Sequence, residues 1–230
     1  MVKLIKLELK RFSITEHIRN VAIANFIILT LSVSLIYMIS IGEIPQSDFP
    51  TIDLLTIKII RMLVTATFLV WEAVLIAQII VEEFRSKTIS LLFTYPINRK
   101  KLIAAKLMLI VIIIFGSIVV SEIFQNVCVF ILSKFFSFIS YDIALMDVLT
   151  LLITTMSALS LGMLPLYVGM IGKSTIATIV TSLCIVSIAV NSQLSVGGII
   201  TIVPISILLG VVGLAFAIIA IQKIIVDDLD

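Results

Sequence analysis

The sequence predicts an all-α membrane protein with six transmembrane helices, and three observations support this fold class. Of the 230 residues, 61% are apolar, whereas soluble domains contain about 45–50% even when glycine is counted. The mean hydropathy is +1.29. Several apolar stretches reach the roughly 20 residues that a helix needs to cross the hydrocarbon of a bilayer. A soluble fold of this length could not bury so much apolar surface, so we expect a membrane domain.

The first predicted element, residues 1–19, is an amphipathic helix lying on the membrane surface. Lys3, Lys6 and Lys10 lie on one stripe at helical spacing, and apolar side chains form another. This pattern is typical of an interfacial helix. The segment carries too many charges for a cleavable signal peptide, and no apolar region with a small-residue cleavage site follows it at the expected distance.

Residues 20–230 are predicted to form one transmembrane domain of six spans. A polar loop with Pro45 and Pro50 ends the first span, because proline interrupts a helix. A hydrophilic loop, 82–101, separates the second and third spans. The predicted spans are residues 20–41, 62–81, 102–132, 148–171, 175–190 and 199–222.

The distribution of lysine and arginine predicts the orientation of these spans. If both termini face the cytoplasm, all but three of the 16 lysines and arginines are cytoplasmic, as the positive-inside rule requires. The exceptions are Lys58, Arg61 and Lys134. For Lys58 and Arg61 the sequence suggests either a short interfacial segment before the second span or a span whose outer end snorkels.

The loop 82–101 is the most informative part of the sequence. After a hydrophilic entry, Ile89, Leu92 and Phe93 fall on one face of a short helix, because residues three and four apart are neighbours on a helix surface. Pro96 is compatible with the end of that helix. The apolar face requires a partner, although the residues alone also allow a loop held against the lipid headgroups by its cations.

From residue 83 to residue 106 the chain runs as an acidic residue, a threonine, a leucine pair, a proline, an arginine and a lysine. This pattern resembles the loop between the second and third spans of the permease subunits of ABC-2 type transporters, which have the type V exporter fold. One departure is Lys87, where members of that family usually have glycine. The residues that carry the resemblance are Glu83, Phe84, Arg85, Thr88, Leu91, Leu92, Pro96, Arg99 and Lys106.

The resemblance implies a cytoplasmic coupling helix that docks on a separate ABC ATPase subunit. ATP and Mg would be bound by that subunit, so this chain would be no enzyme and would hold no cofactor of its own. A second permease copy, as a homodimer, would complete a pathway through the membrane lipid, and no nucleic acid is expected as a partner. The residues implied in ATPase coupling are Glu83, Phe84, Arg85, Lys87, Thr88, Leu91, Leu92 and Pro96.

The small size of the chain resembles members of that family that export antimicrobial or toxin peptides, or drugs, from Gram-positive bacteria. The substrate that this implies is a hydrophobic or amphipathic peptide. The location implied is the cell membrane, with both termini in the cytoplasm.

Four polar residues inside the spans are candidates for a pathway or an interface: Glu72, Glu122, Gln125 and Asn126. A carboxylate in hydrocarbon is costly, at about 2.5–3.5 kcal/mol for aspartate on insertion scales. No lysine or arginine is expected at matching depth to neutralise the two glutamates. Two roles stay open, namely hydrogen bonding between helices and lining of a pathway, where a carboxylate would suit a cationic substrate.

The remaining motifs mainly exclude functions. The sequence Gly172–Thr175 is not a phosphate-binding loop, because the required glycine five residues earlier is replaced by Tyr167; we predict a tight turn with a helix cap at Ser174. The single histidine, His17, lies outside the predicted spans, which excludes the usual intramembrane serine and zinc proteases.

An alternative function is a proton-coupled secondary transporter that uses Glu72 or Glu122.

Overall fold

The computed structural model describes residues 14–41, 52–85, 99–136, 145–172, 174–194 and 199–226, and nearly all of them are helical. The helices are α1 (Ile14–Ser40), α2 (Ile52–Ile76), a π-helical segment (Ala77–Val81), α3 (Glu82–Arg85), α4 (Arg99–Ser133), α5 (Leu145–Gly162), α6 (Leu164–Gly172), α7 (Thr175–Leu194) and α8 (Ile199–Val226). These helices confirm the predicted all-α fold class.

Five helical stretches within those ranges are long and apolar enough to cross a membrane: Ile14–Ser40, Thr56–Arg85, Leu102–Ser133, Val148–Gly172 and Val203–Gln222. A shorter apolar helix, Thr175–Ile188, lies between the last two. The set is consistent with the six predicted transmembrane helices. Residues 14–19, the end of the predicted interfacial segment, belong to α1 and continue into the first span without a break. The rest of that segment lies outside the described residues.

The second span is the centre of the bundle. Within its most apolar window 61% of the residues are buried, compared with 28% in Ile14–Ser40 and in Val203–Gln222. It packs against α1, α4, α5 and α7, and its large apolar side chains, including Ile60, Phe68 and Ile76, are fully buried. Because α2 has neighbours on all sides, a polar side chain on it must find its partners among other helices rather than in lipid.

The second and third spans form a long antiparallel hairpin. Helix α4 has 35 residues and is therefore about 52 Å long, about 20 Å more than the thickness of the bilayer hydrocarbon. His17, in the first turn of α1, hydrogen-bonds to Ser117 (3.0 Å). Ser117 follows the start of α4 at Arg99 by about five turns, or about 27 Å of helix. The hairpin therefore extends well beyond the described start of α1.

The last span packs very closely on the fourth. One face of α8 carries the small buried residues Ser206, Gly210, Gly213, Ala217 and Ala220. A Cβ atom on Gly213 would lie 2.5 Å from the Cα atom of Leu161 in α5. Small residues permit such close approach of helices within a membrane, so α8 fixes the position of the end of α5.

The fourth span is broken between α5 and α6. Met163 forms a turn between the two helices, and its N–H group donates to the Ser160 carbonyl at 3.4 Å. Pro165 follows in the first turn of α6 and has no N–H group to continue the helical hydrogen bonds. The break faces the middle of α2, at Leu69 and Glu72.

Candidate functional site

The hairpin of the second and third spans carries the described part of the predicted coupling region. Lys106 of α4 forms an ion pair with Glu83 of α3, and its Nζ atom also donates to the Ile79 carbonyl of the π-helical segment at 3.5 Å. The two charged side chains are only 3% and 12% exposed. The contact therefore joins the two arms of the hairpin just before the chain enters the loop.

The π-helical segment contributes to this contact. A π turn inserts one extra residue into a helix and often marks a functional site. Here it directly precedes α3, which contains Glu83, and the carbonyl of Ile79 within it accepts the lysine hydrogen bond. Sequence reasoning identified Lys106 only as part of a motif. Lys106 and Glu83 are 23 residues apart in the chain, so their contact can be predicted only if the register of the hairpin is known.

Two further predicted coupling residues are described at this end of the hairpin. Phe84 is half-buried and packs against the apolar core. Arg85 pairs with Glu82 at 3.5 Å, and because these side chains are 59% and 47% exposed, the pair adds little stability. The other predicted coupling residues lie outside the described residues: Lys87, Thr88, Leu91, Leu92 and Pro96.

A buried polar network joins α1 to α4. The side chain of Asn25 donates to Ser121 Oγ at 2.8 Å, and Gln125 donates to the Asn25 carbonyl at 2.8 Å. Asn25 and Gln125 are both buried. These bonds connect neighbouring helices, and sequence reasoning missed Asn25, for which the only signal is an amide side chain within an apolar run.

The expectation that no cation lies at the depth of the glutamates is wrong for Glu122. Arg61 of α2 is only 8% exposed and interacts electrostatically with the Glu122 carboxylate. Asn126 donates to the same carboxylate at 3.3 Å and to the Glu122 carbonyl at 2.7 Å. The antiparallel register of the hairpin allows Arg61 to interact with α4, and the interfacial or snorkelling position of Lys58 and Arg61 stays a prediction.

Glu72 has different surroundings. Its side chain is fully buried, and neither carboxylate oxygen has a hydrogen-bond partner among the described residues. It lies against Gly162, the last residue of α5, where an added Cβ atom would be 2.7 Å from Glu72 Cδ. The carboxyl group therefore occupies the space left by a missing side chain, beside the break in the fourth span.

The turn between the fourth and fifth spans agrees with its predicted structure. The N–H group of Ala177 donates to Ser174 Oγ at 3.3 Å, which confirms Ser174 as the cap of α7. Gly169 and Thr178 pack against Val81 of the π-helical segment, so this turn lies at the same end of the bundle as the Glu83–Lys106 pair. Among the residues that the structure covers, no group of three or more metal-ligating side chains is present.

Comparison with known proteins gives two findings. The family described as "ABC-2 family transporter protein" matches residues 17–191. A protein of Bacillus subtilis (strain 168), described as the uncharacterized protein YcbO, is 32% identical over 228 residues, which cover 96% of this chain and 97% of the relative. No solved structure matches the chain.

Proposed function

Because this chain belongs to the ABC-2 family of transporter proteins, and is thus the membrane component of an ABC transporter, we propose that it is the permease subunit of an ATP-driven exporter. It contributes the transport pathway, and a separate ABC ATPase subunit binds ATP and Mg and performs the hydrolysis. The loop between the second and third spans carries the coupling helix that docks on this ATPase.

The observation that carries the proposal is the hairpin that ends in the Glu83–Lys106 ion pair. Helix α4 extends about 27 Å from Ser117, where α1 begins, to its start at Arg99. ATP-driven motion of a partner can reach the spans only if a rigid element connects them to the docking loop. The buried ion pair joins both arms next to the docking loop, so a force on the loop moves α2 and α4 together.

The pathway, in this proposal, forms between two copies of the permease in the cell membrane of a Gram-positive bacterium. Both termini face the cytoplasm, since that orientation places most lysines and arginines inside. The substrates are hydrophobic or amphipathic peptides, such as antimicrobial or toxin peptides, or drugs. Glu72, Glu122, Gln125 and Asn126 belong to the buried helix contacts next to this pathway.

Affinity purification tests the coupling role. The tagged chain, solubilised from its native membrane, should recover an ABC ATPase that is identified by mass spectrometry, and the complex should hydrolyse ATP. Replacement of the two apolar loop residues by aspartate (Leu91→Asp with Leu92→Asp) should abolish recovery of the ATPase, because an apolar helix face in a protein groove does not accept charge.

The matched control is Phe135→Asp with Phe136→Asp, which introduces the same two charges at side chains that are 78% and 47% exposed beyond the opposite end of α4. This variant should keep the ATPase. Recovery that is equal for all three proteins, or absent from the wild type, would contradict the coupling role.

Transport into inverted vesicles separates the proposal from a proton-coupled carrier. Uptake of a fluorescent amphipathic peptide should require ATP and continue in the presence of a protonophore. Uptake that needs only a proton gradient would support the secondary transporter instead. In intact cells, a cysteine at position 88, in a protein without Cys128 and Cys184, should react with an impermeant maleimide only after the membrane is permeabilised.

A further inference from the structure

Besides the coupling hairpin, the structure contains a buried acid that the exporter proposal does not use. We propose that Glu72 and the break between α5 and α6 form a proton-binding site within the bundle, in which Glu72 is held as the neutral carboxylic acid. The site belongs to the permease itself and does not depend on an ATPase, so it can be tested even if the exporter proposal fails.

The geometry leaves the carboxyl group without donors. Both oxygen atoms of Glu72 are buried, and no N–H or O–H group among the described residues donates to either. A buried carboxylate anion needs several hydrogen bonds or a counter-charge to offset its lost hydration. A neutral acid needs only an acceptor for its O–H group, so this environment favours the protonated form.

The break leaves one backbone carbonyl without its usual helical donor. The carbonyl of Leu161 would accept a hydrogen bond from residue 165 in a regular helix, but Pro165 has no N–H group. Leu166 donates to the Met163 carbonyl at 3.1 Å. Within lipid an unpaired backbone carbonyl costs several kcal/mol, and the O–H group of Glu72 is a donor beside the same turn.

The end of α5 also has a partial negative charge, which favours a bound proton. The C-terminus of a helix has a partial negative charge from its last carbonyls, and Gly162, against which Glu72 lies, is the last residue of α5. On the far side, Gly213 of α8 lies against the backbone of Ser160 and Leu161 and brings no polar side chain. Carbonyl oxygens next to a carboxyl group favour its neutral acid form over its carboxylate form.

Other ionisable groups around α2 lie elsewhere. Trp71 contacts His17 of α1, with the ring centroids 5.2 Å apart. Arg61, which interacts with Glu122 of α4, comes 11 residues before Glu72, or about 16 Å away along α2. The described side chains of α5, α6, α7 and α8 include no charged residue. Of the titratable groups there, Tyr167 packs on Phe216 of α8 and Cys184 is exposed. The other charged side chains described on α1 to α4 are Glu16, Arg19, Lys58, Glu82, Glu83, Arg85 and Lys106.

A proton at this position favours the closed arrangement of the fourth span. Broken helices beside an intramembrane carboxyl group are the usual construction of proton and ion sites in transporters. If α5 and α6 move apart, water reaches Glu72, the proton leaves, and the anion opposes closure of the break. Protonation of Glu72 would thereby shift the equilibrium of the fourth span toward the closed arrangement of α5 and α6.

Labelling with dicyclohexylcarbodiimide tests the proposal on the full chain in detergent or in vesicles. This apolar reagent adds a protonated carboxyl group across one of its C=N bonds, the acid proton goes to nitrogen, and the adduct rearranges to a stable N-acylurea. Peptide mass spectrometry should find the adduct at Glu72, and labelling of Glu122, whose carboxylate interacts with Arg61, should be lost at a lower pH than labelling of Glu72. Labelling should decrease as the pH is raised.

Two arms make the outcome decisive. Glu72→Gln should lose the adduct, and because the peptide map also locates the adduct in the wild type, a variant that fails to fold does not obscure the result. Sodium ions at constant pH and ionic strength should have no effect. Protection by sodium would identify a sodium site in place of a proton site, and absence of an adduct at Glu72 at every pH would overturn the proposal.

Discussion

Two buried glutamates, Glu72 of α2 and Glu122 of α4, have contrasting surroundings. Glu122 of α4 interacts electrostatically with Arg61 and accepts a hydrogen bond from Asn126. Glu72 of α2 faces Gly162 and a helix break, and its oxygens have no partner in the part of the chain that the structure describes. Glu122 belongs to a set of polar contacts between helices, whereas Glu72 faces α5, whose described side chains are uncharged.

The difference shows why depth in the membrane does not determine the role of a carboxyl group. A carboxylate paired with a buried cation contributes to one fixed arrangement, because the removal of either partner leaves an uncompensated charge. A carboxyl group without a partner can gain or lose a proton without breaking a pair. We therefore expect Glu122 to stabilise the fold and Glu72 to respond to changes in its surroundings.

The largest effect is expected for Arg61→Met. Loss of the guanidinium should leave Glu122 buried without its cation and destabilise the protein by about 3–5 kcal/mol, measured by unfolding of the purified protein in a denaturing detergent. Adding Glu122→Gln to the same chain should recover much of this loss. Additive destabilisation in the double variant would show that the two residues do not act as a pair.

Glu83 provides an intermediate case, since its ion pair with Lys106 is slightly exposed. Lys106→Met should reduce stability by about 2 kcal/mol, in the range for hydrogen bonds to charged groups, and should reduce ATP-driven transport more strongly than folding. The exchanged pair, Glu83→Lys with Lys106→Glu, should restore part of the transport. Transport unchanged in Lys106→Met would separate this contact from coupling.

Gly162→Ala tests the space beside Glu72. The new Cβ atom would overlap the Glu72 carboxyl group and approach Leu69 Cδ2 to 2.9 Å, so we expect a loss of about 1–3 kcal/mol from overpacking. Glu72→Ala in the same chain should reverse part of it, with a coupling of about 0.5–3 kcal/mol.

The matched control for that variant is Gly116→Ala in α4. A Cβ atom there meets nothing within 4 Å, and alanine is a better helix former by about 1 kcal/mol. Unfolding measurements should therefore give an unchanged or slightly higher stability. Equal losses for both glycines would indicate a general helix effect and not contact with Glu72.

The smallest effect is expected for Glu72→Gln. Because the carboxyl group of Glu72 has no counter-charge to lose, its replacement by a neutral amide of the same shape should alter stability by less than about 1 kcal/mol. Glu122→Gln should cost more, since it leaves Arg61 without its carboxylate. Unfolding curves of these two variants under identical conditions would compare the glutamates directly, and the reverse order would refute the distinction.

The sequence was sufficient for the class of fold and for several local features. Apolar runs of adequate length predict membrane helices whatever their neighbours are, because the bilayer sets the length. The cap at Ser174 was predictable since an N-cap depends only on residues within one turn. The coupling residues of the loop were predicted from a pattern and stay a prediction, whereas the contact of Glu83 with Lys106 needed the hairpin register.

What the tertiary structure alone decided is which side of each helix meets which neighbour. In α2 and α4 apolar residues occur around the whole circumference, so periodicity gives no direction to a buried polar side chain. The sequence therefore located Glu72, Glu122 and Arg61 along their helices without indicating that Arg61 meets Glu122 or that Glu72 meets Gly162. Those pairings depend on the register and rotation of packed helices, which arise from contacts between residues far apart in the chain.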